Sequence, residues 1–305
     1  MEMIKKQLKY ILSGFFILAV LFSTGQNTNK SDTLRLLLIG NSFSQNAARH
    51  LPQIAKEGGH LLLIGRAEIG GCSLKKHWDL AELAEKKPDD PAGKPYKGKS
   101  LQMILSEQKW DIVTIQQYSF HSADSTTYMP YARKLYNLVK TMQPQARVVM
   151  HQTWAYRSDS KDFSQITKGQ YCKNEKEMWE KSREAYHRVA SELGIGVIPV
   201  GDAFWKVSSS KKWKFKPDPK FDYSNPAYPN LPKQANSLHV GYSWNNDKQF
   251  KFDSHHASES GCYLGALVWY SFLFGEPPTK VEYVPKGVSP EFAGYLKKVA
   301  RKVVR

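Results

Sequence analysis

Two short stretches of this 305-residue chain carry side chains able to move protons and form covalent bonds. One is Gly40-Asn41-Ser42-Phe43-Ser44, and the other is Phe252-Asp253-Ser254-His255-His256-Ala257-Ser258. A serine hydroxyl becomes a nucleophile when an imidazole takes its proton, and a carboxylate that orients the imidazole completes the relay. Asp253 and His256, three residues apart on an expected loop, suit the last two roles. His255 is the rival base, and the three-residue spacing favours His256. Each stretch also has a plainer reading, because Ser and Asn are preferred helix caps and polar loops often precede helices. Asp253, His255 and His256 could also ligate a cation. No further ligand stands at a metal-site spacing such as HExxH, so neither a metal nor another cofactor is expected.

The surrounding pattern says what must position these residues. Apolar runs at Leu34–Ile39, Leu61–Ile69, Trp110–Gln116, Arg147–Thr153 and Gly196–Val200 read as five strands. Helical patterns fall between them at 47–58, 128–142 and 175–193, and a last one follows at 258–274. Alternation of this kind predicts an α/β fold, a three-layer α/β/α sandwich around a mostly parallel five-stranded sheet. Open parallel sheets bind ligands beyond the carboxyl ends of their strands. Ser42 stands just past the first strand, where backbone N–H groups can meet developing negative charge. Residues 206–252 break the rhythm with many Pro, Tyr, Trp, Asn and Lys residues, and are expected to form a structured insertion over the sheet's edge. A second polar loop spans 84–99.

Taken together, a first-strand GNS and a late DxxH resemble the defining end blocks of the SGNH (GDSL-like) hydrolases, whose fold is flavodoxin-like. Ile69-Gly70-Gly71-Cys72-Ser73-Leu74 follows the second strand, where that family places an oxyanion-hole glycine. The run WDIVTIQQYS follows the third, where the family usually carries an asparagine in a GxND block, and here Gln116-Gln117 stands instead. The chain thus resembles a divergent branch with GNSFS, GGCSL-HW and QQ-S stretches. The resemblance implies that Ser42 attacks an ester carbonyl, His256 is general base and then acid, and Asp253 holds the imidazole. It implies an oxyanion hole from the N–H groups of Ser42 and Gly71, with the side chain of Gln117, or less favourably Gln116, as third donor. Asn41, Gln116, His77 and Trp154 are candidate substrate contacts.

Composition bounds the setting. Lys5, Lys6 and Lys9 precede the apolar run Tyr10–Phe22, too short for a membrane span and suited to a signal peptide; small residues follow at Ser23-Thr24-Gly25. Residues 1–25 are therefore expected to be cleaved, with an uncleaved anchor the alternative. Residues 26–305 then form one exported domain, periplasmic or secreted, with no stable membrane insertion. The formal charge is +16, of which the leader supplies +2. The basic residues are scattered, which argues against nucleic acid and for a solvated surface that favours acidic polymers. Cys72, Cys172 and Cys262 form no CxxC and leave at least one free thiol, with one unassigned pair allowed. Trp78, Trp154, Tyr156, Trp205, Tyr223, Tyr228, Tyr242 and Trp244 offer flat faces to sugar rings, although at least half should fill cores. A glycan O-acetyl ester is the expected substrate, and a non-catalytic glycan-binding protein is the alternative.

Overall fold

The computed structural model describes residues 33–304, so the expected leader lies outside the described residues. Five strands form the central sheet: β1 (Leu34–Gly40), β2 (Leu62–Glu68), β3 (Ile112–Ile115), β4 (Arg147–His151) and β7 (Gly196–Ile198). All pair in parallel, in the order β2-β1-β3-β4-β7. The sheet is thus the expected α/β/α arrangement.

Strand β1 shows why it lies at the centre. Leu36 and Leu38 belong to one core, Leu37 and Ile39 to the other, and all four are fully buried. Side chains alternate across a strand, so LRLLLI has no polar face and must be covered on both sides. Burying each such leucine contributes about 1.5–3 kcal/mol.

One face is covered by α1 (Ser42–Ala47), α2 (Leu51–Glu57), α7 (Val200–Ser208), α8 (Glu259–Phe274) and α9 (Pro290–Val303). The other carries α3 (Leu74–Lys86), α4 (Leu101–Ser106), α5 (Tyr131–Met142) and α6 (Glu175–Leu193). Helix α8 is apolar on every side, which is why it is buried from Gly261 to Ser271. Its Gly265 lets α1 approach: a Cβ there would meet the Ala47 Cα at 2.8 Å.

The 206–252 interval has more order than its composition suggests. Helix α7 runs through to Ser208, irregular turns follow, and β8 (His239–Trp244) then pairs antiparallel with β9 (Phe250–Ala257). A small strand pair, β5 (Gln165–Thr167) and β6 (Gln170–Tyr171), precedes α6. On the β8–β9 hairpin, Tyr242 opposes Phe252 and Trp244 opposes Phe250, so the aromatic side chains stack on one another. Beneath them Arg157 is buried, its guanidinium held by Asp159 at 2.7 and 2.9 Å and lying 4.1 Å from the centre of the Phe215 ring. The three cysteines are free and buried, and burial pushes the thiols of Cys72 and Cys172 up to about 12 and that of Cys262 to about 11.

Candidate active site

Strand β1 ends at Gly40, where a side chain would be crowded: a Cβ would lie 2.3 Å from Ser44 Oγ and 3.0 Å from Gln116 Oε1. The chain then turns through extended Asn41, whose Oδ1 accepts the Phe43 N–H at 3.0 Å and caps α1. Ser42 is the first residue of that helix, so its N–H has no acceptor within the helix. Asn41 Nδ2 donates to the Cys72 carbonyl at 3.0 Å, which ties the 69–72 turn to the start of α1. In that turn Gly71 has φ +62°, a conformation that favours glycine. Among the described residues, the Gly71 N–H has no protein acceptor.

The opposing groups come from β9. Asp253 and His256 were expected on a loop, but they lie on this strand, where Asp253 pairs with Gly241 and His256 falls in the register shift just before Ala257 pairs with His239. His256 Nδ1 is 2.7 Å from Asp253 Oδ2, and His256 Nε2 is 3.0 Å from Ser42 Oγ. Asp253 Oδ1 accepts the backbone N–H groups of His255 at 3.1 Å and His256 at 2.9 Å. Burial alone would raise the Asp253 pKa, but these hydrogen bonds outweigh it and hold the carboxyl well below its ordinary value. A carboxylate only accepts, so Nδ1 of a neutral His256 carries the proton and donates it, leaving Nε2 to accept from the Ser42 hydroxyl. His255 Nδ1 lies 3.2 Å from Asp253 Oδ1, and burial lowers its pKa. Thus His256, not its neighbour, is the histidine brought to Ser42.

Four further candidates serve structure where substrate contact was expected. Asn41 is buried and spends its side chain on the two links above and on Gln116. His77 is fully buried; its Nε2 donates to the Gly40 carbonyl at 3.0 Å, and its Nδ1 accepts the Tyr96 hydroxyl at 2.7 Å. Burial lowers the His77 pKa to about 4. Trp154 is buried between Phe43 and Phe204, and its Nε1 donates to the His255 carbonyl at 2.8 Å. Gln116 is fully buried, donating to Asn41 Oδ1 at 2.6 Å and accepting from Ser44 Oγ and His151 Nδ1.

Gln117 also departs from expectation. Its amide donates to both the carbonyl and the hydroxyl of Thr127 at 3.0 Å, while its Oε1 accepts from Leu74 N at 3.1 Å and Tyr118 N at 2.8 Å. An amide nitrogen has two protons and both are used, so no third oxyanion donor remains there. It instead fastens the start of α3, and with it the turn bearing Gly71.

The reading by motif missed Ser44 and His151, which complete the buried polar network under Ser42. His151 is fully buried, and burial lowers its pKa to about 3. A histidine at the carboxyl end of an apolar strand, RVVMH, was the available signal. Asp253, His255 and His256 also place ligand atoms within 4.8 Å of one another, close enough to hold a metal ion. Such an ion would compete with the Asp253–His256 hydrogen bond.

A parallel sheet of this order, with a serine after β1 hydrogen-bonded to the histidine of a late Asp-x-x-His, is the arrangement that the resemblance to the SGNH hydrolases implies. The chain belongs to the DUF4886 family, a domain of unknown function whose model matches residues 35–212. That match includes Ser42, Gly71 and Gln117 and ends before Asp253 and His256. The chain is similar to a DUF4886 family protein from Bacteroides uniformis ATCC 8492, at 24% identity over 90% of this chain and 95% of that one, with a TM-score of 0.67. Weaker likenesses are a lipase/acylhydrolase from Enterococcus faecalis (11% identity, 79% and 96% covered, TM-score 0.45). A Clostridium thermocellum family 3 carbohydrate esterase overlaps at 8% identity, with 80% and 96% covered and a TM-score of 0.43. No curated protein matches the sequence.

Proposed function

We propose that the protein is an exported serine esterase that removes O-acyl groups, acetyl above all, from carbohydrate. The observation that carries this reading is the chain Asp253–His256–Ser42, closed at 2.7 and 3.0 Å. In the proposed reaction His256 Nε2 takes the Ser42 proton as Oγ attacks the ester carbonyl. The tetrahedral oxyanion is met by the N–H groups of Ser42 and Gly71. Collapse expels the alcohol, which receives the proton from His256, and water repeats the sequence to free the acid. Export rests on the N-terminal charge and apolar run. The carbohydrate part rests on exposed rings such as Tyr228 (54% exposed) and on the lack of a long apolar lid in the sequence.

A second reading, a glycan-binding protein without turnover, draws support from the loss of Gln117 as a donor, which leaves the oxyanion hole with backbone groups alone. Hydrolysis of p-nitrophenyl acetate separates the two. The esterase reading expects turnover that disappears in Ser42→Ala; activity equal in both proteins, or absent from both, would favour the binding protein.

A further inference from the structure

A cleft of about 700 Å³ lies between β2, α1 and the 95–99 turn. Its lining includes Gln45, Arg49, Arg66, Glu68, Lys97 and Lys99. Two of its residues belong to the elements that carry or flank Ser42. Gln45 stands one turn further along α1, and Glu68 is the register partner of Gly40 at the carboxyl ends of β2 and β1. The opposite wall is fixed as well. Lys97 and Gly98 both have positive φ in a tight turn closed by the Tyr96–Lys99 pairing, so Lys97 sits at its tip. Tyr96 then reaches His77, and His77 reaches the Gly40 carbonyl, two residues before the nucleophile.

Glu68 is the anomaly in this cleft. Its side chain is 3% exposed, and Oε2 accepts from Arg66 Nη1 at 2.9 Å. Oε1 is buried with no hydrogen-bond partner, although Gln45 lies nearby. A buried carboxylate oxygen without a donor is destabilising unless a ligand supplies one. A sugar hydroxyl supplies such a donor. The remaining charge is cationic: Arg49, Arg66, Lys97 and Lys99 outnumber Glu68 and Glu107 by two. Lys99 is held by Glu107 and Arg49 by Glu259, which leaves Lys97 at the turn tip without a carboxylate partner among the described residues.

We propose that this cleft is a subsite for an acidic sugar chain, with Glu68 Oε1 accepting a ring hydroxyl and Lys97 facing a uronate carboxylate. The inference rests on the esterase reading for the acyl group that Ser42 would attack, and it adds the class of sugar that carries it.

Titration calorimetry with an unacetylated galacturonic acid pentamer, and with xylopentaose as the neutral probe, tests it on the protein without its leader. The acidic pentamer should bind about tenfold or more tighter than the neutral one at low salt, with the preference shrinking as salt rises. Lys97→Glu should erase that preference. Glu68→Gln, close in shape, should weaken both sugars by about fivefold, the scale of one hydrogen bond. Equal binding of the two pentamers, or none, would overturn the subsite. p-Nitrophenyl acetate turnover dependent on Ser42, measured on the same samples, keeps the two ideas apart. Turnover without sugar preference sinks only the subsite, and preference without turnover sinks only the esterase.

Discussion

Ser42 and His256, the proposed nucleophile and its base, are held in opposite ways. Ser42 follows the central strand, above a polar network of Asn41, Gln116, Ser44 and His151 in which every member is buried. Asp253 and His256 sit on a hairpin outside the main sheet, each with about a third of its side chain exposed. The nucleophile's geometry is thus set by the core that holds the fold together. The base is set by strand pairing, by the Trp154 bond to the His255 carbonyl, and by Ala257 N donating to Asn46 Oδ1 at 3.0 Å. Changes on the hairpin side should therefore cost activity with little stability, and changes under Ser42 should cost both.

The largest test of that contrast is His256→Ala, which should lower turnover of a simple acetyl ester by about 10⁴-fold or more while the protein stays folded. His255→Ala should cost less than about tenfold, because only His256 reaches Ser42. Steady-state rates of the two variants decide between the histidines, and a reversed order would break the assignment.

Gln116→Ala comes next. It strips partners from Asn41, Ser44 and His151, all of them buried, and should cost about 3 kcal/mol of stability in urea unfolding. An unchanged midpoint would mean that the nucleophile does not depend on this network.

Acid sharpens the comparison further. His77 and His151, beneath the nucleophile, and His239, behind the hairpin, are fully buried with pKa values lowered to about 4, 3 and 3. Burial is the main cause for each. The unfolded chain takes up these protons near pH 6.5 and the folded one does not. Stability is therefore level above pH 6.5 and declines below it, until the folded pKa values are reached. Each histidine contributes about 1.4 kcal/mol per pH unit across that window. Unfolding midpoints measured from pH 7 to 5 check the slope, and His151→Asn should make it shallower.

The smallest effect expected is for Trp154→Phe. It keeps the stacking but removes the donor to the His255 carbonyl, costing about 1 kcal/mol and less than tenfold in rate.

The sheet was legible because short apolar runs mark its strands, LLLI in β1 and VVM in β4 above all, even though Arg66 and Glu68 interrupt β2. Helix α6 was legible to the residue: Asn174 caps its start at Glu177 N, and Gly194, with φ +66°, ends it after Leu193. The GNS and DxxH blocks were legible for a different reason, since their chemistry fixes residue types at short spacing. Less could be read where one residue type serves two purposes. A glutamine amide is equally suited to donate to an oxyanion or to fasten a helix start, and only the position of Thr127 decides which Gln117 does. Trp154 and His77 were ambiguous in the same way, because burial is a property of neighbours far along the chain. The hairpin was hidden because its alternation is carried by aromatics amid Pro- and Asn-rich turns, which masks a period of two.

The hydroxyl of Ser42 and its base are 214 positions apart along the chain. During synthesis the nucleophile therefore emerges long before anything can activate it. β1 and its neighbours can pair while the serine is still an ordinary alcohol. Reactivity arises only after β9 has been made and has zipped onto β8, with α8 packed against α1 behind it. If Ser42 is the ester-cleaving group proposed above, order of manufacture works as a safety catch, keeping it silent in every chain that stops short of residue 256.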